Sequence, residues 1–153
     1  MQTVINDLRT SVSDYGRLLR GKDETFFSFR PAPEKWSRRE ELGHLIDSAH
    51  SNLRRFVKGQ HELNPKITYN QEAWVKAGNY DSQDTGRLIG FWEMMNHQVC
   101  ETLSCMPPEA YGRTCDTGKG KAELHTILWL AQDYVKHMKH HLHHILELEP
   151  IAY

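Results

Sequence analysis

The sequence predicts an all-α protein, a four-helix bundle with a long crossover between its second and third helices, and three observations carry that expectation. Four long stretches repeat apolar residues at spacings of three and four, the period of an amphipathic helix. No run of alternating apolar and polar residues reaches the length of a core strand. The six prolines all fall between or after the four stretches, where a helix interior is not interrupted. At 153 residues the chain is long enough for one substantial core and short for two, so residues 1–153 read as a single domain.

The first helix is expected over Val4–Leu19, where Val4, Ile5, Leu8, Val12, Tyr15, Leu18 and Leu19 share a face, and Gly21 closes it. Phe26–Lys35 carries two prolines and reads as a connector whose aromatic residues cap the core. Ser37 is the N-cap of the second helix, with Glu40 three residues on as its capping-box partner, and the helix runs to about Val57 before Gly59. Gln60–Asp81, containing Pro65, Gly78 and YNQEAWV, reads as the crossover. The third helix starts at Ser82 or Asp84, passes through Leu88, Ile89, Trp92, Met95, Val99 and Leu103, and is broken by Pro107-Pro108. Thr114–Lys121 reads as a turn or short hairpin, and the fourth helix runs from near Thr126 to about Glu149, stopped by Pro150.

Composition narrows the function classes. A hydrophobic fraction of 39% and a charged fraction of 25% are those of a globular chain rather than a disordered one. A formal net charge of -1 provides no global field to draw in DNA or an anionic membrane, so no nucleic-acid partner is expected. No segment approaches the roughly 20 apolar residues that span a bilayer, and the N-terminus lacks a basic stretch followed by an apolar one, which predicts a cytoplasmic protein without a membrane partner. Cys100, Cys105 and Cys115 are odd in number and form no CxxC pair, so free thiols are expected.

The chemistry-bearing feature is YVKHMKHHLHHI, Tyr134–Ile145, which holds five of the ten histidines. On a helix His137 and His141 lie one turn apart at the edge of the apolar arc, the separation at which two imidazoles share one metal ion. His140 and His143 fall on the polar side and His144 between the two. An open metal site wants a third ligand from another helix, and His44, His50, His97, His125, Cys100 and the carboxylates are candidates. The His97/Cys100 pair, three apart, reads better as packed or exposed side chains. Periodicity places His44 nearly opposite the apolar arc of its helix, beside Glu41, Ser48, Ser51, Asn52 and Arg55.

The second-helix stretch KWSRREELGHLIDSAHSNLRRF, followed far downstream by DYVKHMKHHLHHI, resembles the DinB/YfiT-like superfamily, and YNQEAWV looks like the loop this family places after its second helix. The resemblance implies a four-helix bundle in which His44, before Leu45-Ile46-Asp47-Ser48, joins His137 and His141 around a divalent metal ion. It also implies a metal-dependent enzyme, either a hydrolase or a transferase or isomerase that uses a low-molecular-weight thiol, acting on a small-molecule substrate. Three imidazoles suit zinc or nickel ahead of iron or manganese. Asp47 and Asp133 are candidate carboxylates behind the histidine N–H groups, while Asn52, Arg55, Tyr134 and Trp74 are candidates for the cleft wall. Two other readings stand beside the enzyme: a non-catalytic metal- or ligand-binding or dimerisation module closed by a fourth protein ligand, and a surface histidine tract that merely collects metal. A homodimer through a helix face is a further expectation.

Overall fold

The structure, a computed structural model, describes residues 1–153 and contains six α-helices, two single-turn 3-10 segments and one small hairpin. The four long helices are α1 (Gln2–Arg20), α3 (Arg38–Lys58), α5 (Thr85–Ser104) and α6 (Ile127–Leu146); α2 (Glu24–Ser28) and α4 (Gln71–Gly78) are short. No helix is long and apolar enough to cross a membrane.

The long helices begin where their caps dictate. Ser37 Oγ accepts from the Glu40 amide at 3.1 Å while the Glu40 carboxylate accepts from the Ser37 amide at 2.9 Å, the reciprocal capping box that the spacing predicts. Asp84 caps α5 through the Arg87 amide and Thr126 caps α6 through the Trp129 amide. The C-terminus of α6 differs from expectation. The helix stops at Leu146 because Glu147 turns left-handed at φ 58°, and the Glu147 and Leu148 amides donate back to the His144 and His143 carbonyls. The Arg38 guanidinium holds the Glu147 carboxylate in that turn.

Two connectors, expected to be irregular, contain short helices. Asp23 accepts from the Phe26 amide and starts α2, and Asn70 accepts from the Ala73 amide and starts α4. The expected hairpin is present: β1 (Thr114–Asp116) pairs antiparallel with β2 (Leu124–Thr126). The crossover joins its edge, with the Ile67 amide donating to the Asp116 carbonyl at 3.0 Å and the Asp116 amide to the Pro65 carbonyl at 3.1 Å.

In the bundle, α1 and α3 each pack against both α5 and α6, so the first two long helices face each other across a diagonal. Thirty buried apolar side chains form one cluster between them, with Trp92, Tyr134, Phe27 and Phe56 the largest. The Tyr134 hydroxyl donates to Asn96 Oδ1 at 2.6 Å and Asn96 Nδ2 donates to the Trp92 carbonyl at 2.8 Å, which pairs the polar side-chain atoms of Tyr134 and Asn96 in the core, while Trp92 Nε1 is buried there without a partner. Helix α3 is buried over an unbroken run from Glu41 to Ala49. Its apolar arc faces α5, its polar arc faces α6, and Tyr80 lies flat against Gly43, in space that any β-carbon at that position would take.

Candidate metal centre

The polar arc of α3 meets the edge of α6 and brings three of the ten histidines together. Ligand-capable atoms of His44, His137 and His141 lie within 4.8 Å of one another. The ring centroids are 5.2 Å apart for His44 and His137, 4.9 Å for His44 and His141, and 4.6 Å for His137 and His141. His44, which periodicity alone puts in solvent, is 1% exposed. Trp36, at the entry to α3, lies over its ring with centroids 5.1 Å apart.

Nε2 of His44 and Nε2 of His137 are 3.4 Å apart, long for a hydrogen bond. The separation matches the edge of a tetrahedron around an ion with bonds of about 2.0–2.1 Å, which is about 3.3–3.4 Å. Both rings are held neutral. Burial, with the charge of His141 added, lowers His44 to about 4, against an opposing pull from Glu41. Burial and the neighbouring His141, His44, His140 and Arg55 lower His137 to about 3.

Glu41 supplies the support behind the cluster. Its two oxygens lie 2.7 Å from His141 Nδ1 and 2.7 Å from His144 Nδ1. Burial pushes this carboxyl up, but the hydrogen bonds and charges of His141 and His144 outweigh it and hold the group below its ordinary value. A carboxylate can only accept, so His141 donates from Nδ1 and keeps the Nε2 lone pair for the centre of the cluster. Ser48 Oγ sits 3.5 Å from His137 Nδ1, and His44 Nδ1 has no partner although it is buried.

The carboxylates expected behind the histidines are engaged elsewhere. Asp47 accepts from the Tyr80 hydroxyl through Oδ1 at 2.6 Å and leaves Oδ2 buried without a partner, and Asp133 accepts from the Tyr153 hydroxyl at 3.2 Å. The supporting role falls to Glu41, one turn before His44 on the same face of α3. That i, i+3 spacing is the signal that could have identified it. Ser48, Asn52, Arg55, Tyr134 and His137 line a cleft of about 130 Å³ beside the cluster. Trp74 stands behind it, edge-on to Tyr69 and His50. A larger hollow of about 370 Å³ opens outside Glu41 and His144 and touches none of the three clustered histidines.

The remaining candidates lie apart from the cluster. His140 and His143 are not the solvated face that the helix wheel suggests: both are half-buried, and their Nδ1 atoms meet the carbonyls of Ile151 and Glu149 in the segment after α6. His97 is exposed while Cys100 is buried, with its thiol pushed up to about 11 by burial, so the two do not form a pair. His125 stacks on Trp129. The three cysteines are free.

Among curated proteins none matches the sequence. Among solved structures, YfiT from Bacillus subtilis, described as a probable metal-dependent hydrolase with an unusual four-helix bundle topology, superposes with a TM-score of 0.86 at 20% identity, over 95% of this chain and 83% of that one. A mycothiol-dependent maleylpyruvate isomerase superposes with a TM-score of 0.73 at 15% identity; 99% of this chain is matched, but it spans only 61% of the isomerase. A DinB-like protein from Bacillus subtilis gives 0.66 at 16% identity, over 95% and 87% of the two chains. At these identities the likeness shows the fold. The family model of the DinB superfamily matches residues 8–145, and with that match the bundle has its family: this chain belongs to the DinB superfamily.

Proposed function

We propose that the protein is a metal-dependent enzyme acting on a small molecule, with His44, His137 and His141 holding one divalent ion, zinc or nickel ahead of iron or manganese. The observation that carries this reading is the pair of neutral Nε2 atoms 3.4 Å apart with a third imidazole beside them. The donor set fits the ion: three imidazoles, one of them oriented by a carboxylate, and no fourth His, Cys, Asp or Glu within reach. Such an ion, when bound with a position left open, supplies Lewis acidity and a nucleophile deprotonated near neutral pH.

The chain's own residues do the rest. Glu41 fixes the His141 tautomer and carries negative charge next to the cluster. Trp36 shields His44 from water. The cleft beside His137 admits substrate from one side, and its walls supply Asn52, Arg55 and Tyr134. Hydrolysis is the leading reaction, because the chain spans 83% of the YfiT fold and only 61% of the isomerase's. Transfer or isomerisation with a low-molecular-weight thiol is the second reading, supported by the TM-score of 0.73 to the mycothiol-dependent enzyme. A non-catalytic module closed by a fourth ligand has less support, since His144 turns its Nδ1 to Glu41 rather than into the cluster.

The test is elemental analysis of untagged protein and of the His44→Ala, His137→Ala and His141→Ala variants. About one equivalent of metal in the wild type, lost in each variant, is expected. Stoichiometric metal in all three variants overturns the reading. Hydrolytic and thiol-dependent assays of metal-loaded against chelated protein then separate the two reactions.

A further inference from the structure

The cleft beside His137 contains a cation that has no ion-pair partner. Arg55 lies half-buried in its wall, and no carboxylate comes within ion-pair distance of its guanidinium, although ten pairs between a Lys or Arg and a carboxylate occur elsewhere in the structure. Its hydrogen bonds go to neutral oxygens. Nε and Nη2 donate to the Ile67 carbonyl at 3.3 and 3.0 Å, and Nη1 donates to Asn52 Oδ1 at 3.1 Å. A guanidinium has five N–H donors, so one N–H on each terminal nitrogen is left over. Two neighbouring N–H groups are the complement of a carboxylate's two oxygens.

The head is also fixed in place. Asn52 is itself held, its Nδ2 donating to the Ser48 carbonyl at 3.0 Å, and Ile67 is pinned to Asp116 through the backbone. Lys119, from the hairpin tip, reaches the same cleft without an ion-pair partner of its own. The tip is tied down by Asp116, whose Oδ1 accepts from the Gly118 and Glu123 amides at 2.9 and 3.0 Å. The cleft's one carboxylate, Asp133, accepts from the Tyr153 hydroxyl. Two cations therefore face one anion before any metal is counted. A charge withdrawn from water without a partner is unfavourable unless something arrives to pair with it.

We infer that the cleft binds the carboxylate of a small organic acid, which Arg55 takes through its two spare N–H groups while Lys119 adds charge from the rim. At about 130 Å³ the cleft is much smaller than the hollow of about 370 Å³ outside Glu41, which suits a short acid better than a bulky ligand. The inference deepens the functional reading above and rests on it only in treating His137, in the wall of the same cleft, as the point where the bound acid meets the reactive centre.

The experiment is calorimetric titration of the chelator-treated, full-length protein with succinate and, in a parallel arm, with inorganic phosphate. Saturable succinate binding is expected, weakened at least about thirtyfold in Arg55→Gln, where the fork is lost. Lys119→Glu, a reversal on an exposed loop that leaves the fold alone, is expected to weaken binding about threefold to tenfold and flatten its salt dependence. Arg54→Gln, on the exposed side of α3, is expected to bind as the wild type does. Circular dichroism checks Arg55→Gln, and if that variant does not fold, Lys119→Glu decides. No succinate binding, binding indifferent to both variants, or Arg55-dependent binding of phosphate tighter than that of succinate overturns the inference. Because the protein is metal-free throughout, the outcome stands apart from the metal analysis of the histidine variants.

Discussion

Replacing Glu41 with glutamine keeps the shape of the side chain and removes its charge, which isolates what the carboxylate does for the cluster. In the structure Glu41 accepts two hydrogen bonds of 2.7 Å, from His141 Nδ1 and His144 Nδ1. Glutamine retains one acceptor oxygen and presents an NH2 where the other stood. His144 is exposed and can swing away from that donor, so the variant keeps the bond to His141 and loses the one to His144. The surviving bond falls from charge-assisted, about 1.5–3 kcal/mol, to neutral, about 0.5–1.5 kcal/mol. The midpoints of those ranges differ by about 1.3 kcal/mol, close to tenfold in affinity and at the lower end of the 10–100-fold typical for a residue behind a metal-bound histidine. The assay is a competition titration of zinc and of nickel against a chelator at pH 7. About tenfold weaker binding at unchanged stoichiometry is expected, with a smaller loss for His144→Ala. Affinity within twofold of wild type in Glu41→Gln refutes the role assigned to Glu41.

Three further expectations concern stability. Burial lowers His44 to about 4 and His137 to about 3 in the fold against 6.5 in the unfolded chain, so the unfolded state takes up protons first; their contribution is complete above pH 6.5 and is lost as pH falls to about 4 for His44 and about 3 for His137. Urea melts of the metal-free protein should show stability dropping through that window by up to about 1.4 kcal/mol per pH unit for each group, and a flat profile between pH 7 and 4.5 counts against the neutral assignment. Gly43→Ala drives a β-carbon into the Tyr80 ring and should cost about 1–3 kcal/mol; an unchanged urea midpoint would mean that Tyr80 is free to move. Tyr134→Phe removes the donor to Asn96 Oδ1 at the buried centre of the bundle and should cost about 1–3 kcal/mol while metal content stays at the wild-type level. Loss of metal in that variant would tie Tyr134 to the cluster rather than to the core.

Local chemistry sufficed for the helices that carry the site. The capping box at Ser37 and Glu40, the apolar arc of Leu42, Leu45, Ile46 and Ala49, and the one-turn spacing of His137 and His141 are properties of residues within a few positions of each other, so the sequence by itself determined them. The short helices α2 and α4 escaped because one or two turns between prolines and polar residues generate no period to read. Only the tertiary structure decided which polar residues are buried. Helix periodicity reports the single face that meets a core, whereas α3 is covered on one side by α5, on another by α6 and at Gly43 by Tyr80, so the arc of Glu41, His44, Ser48 and Asn52 that looks solvated is enclosed. The pairing of Glu41 with His141 spans one hundred residues, and the isolation of Arg55 depends on a backbone carbonyl in the crossover. Such relations come from which helices face each other across the bundle, and the spacing of residues along any one helix does not encode them.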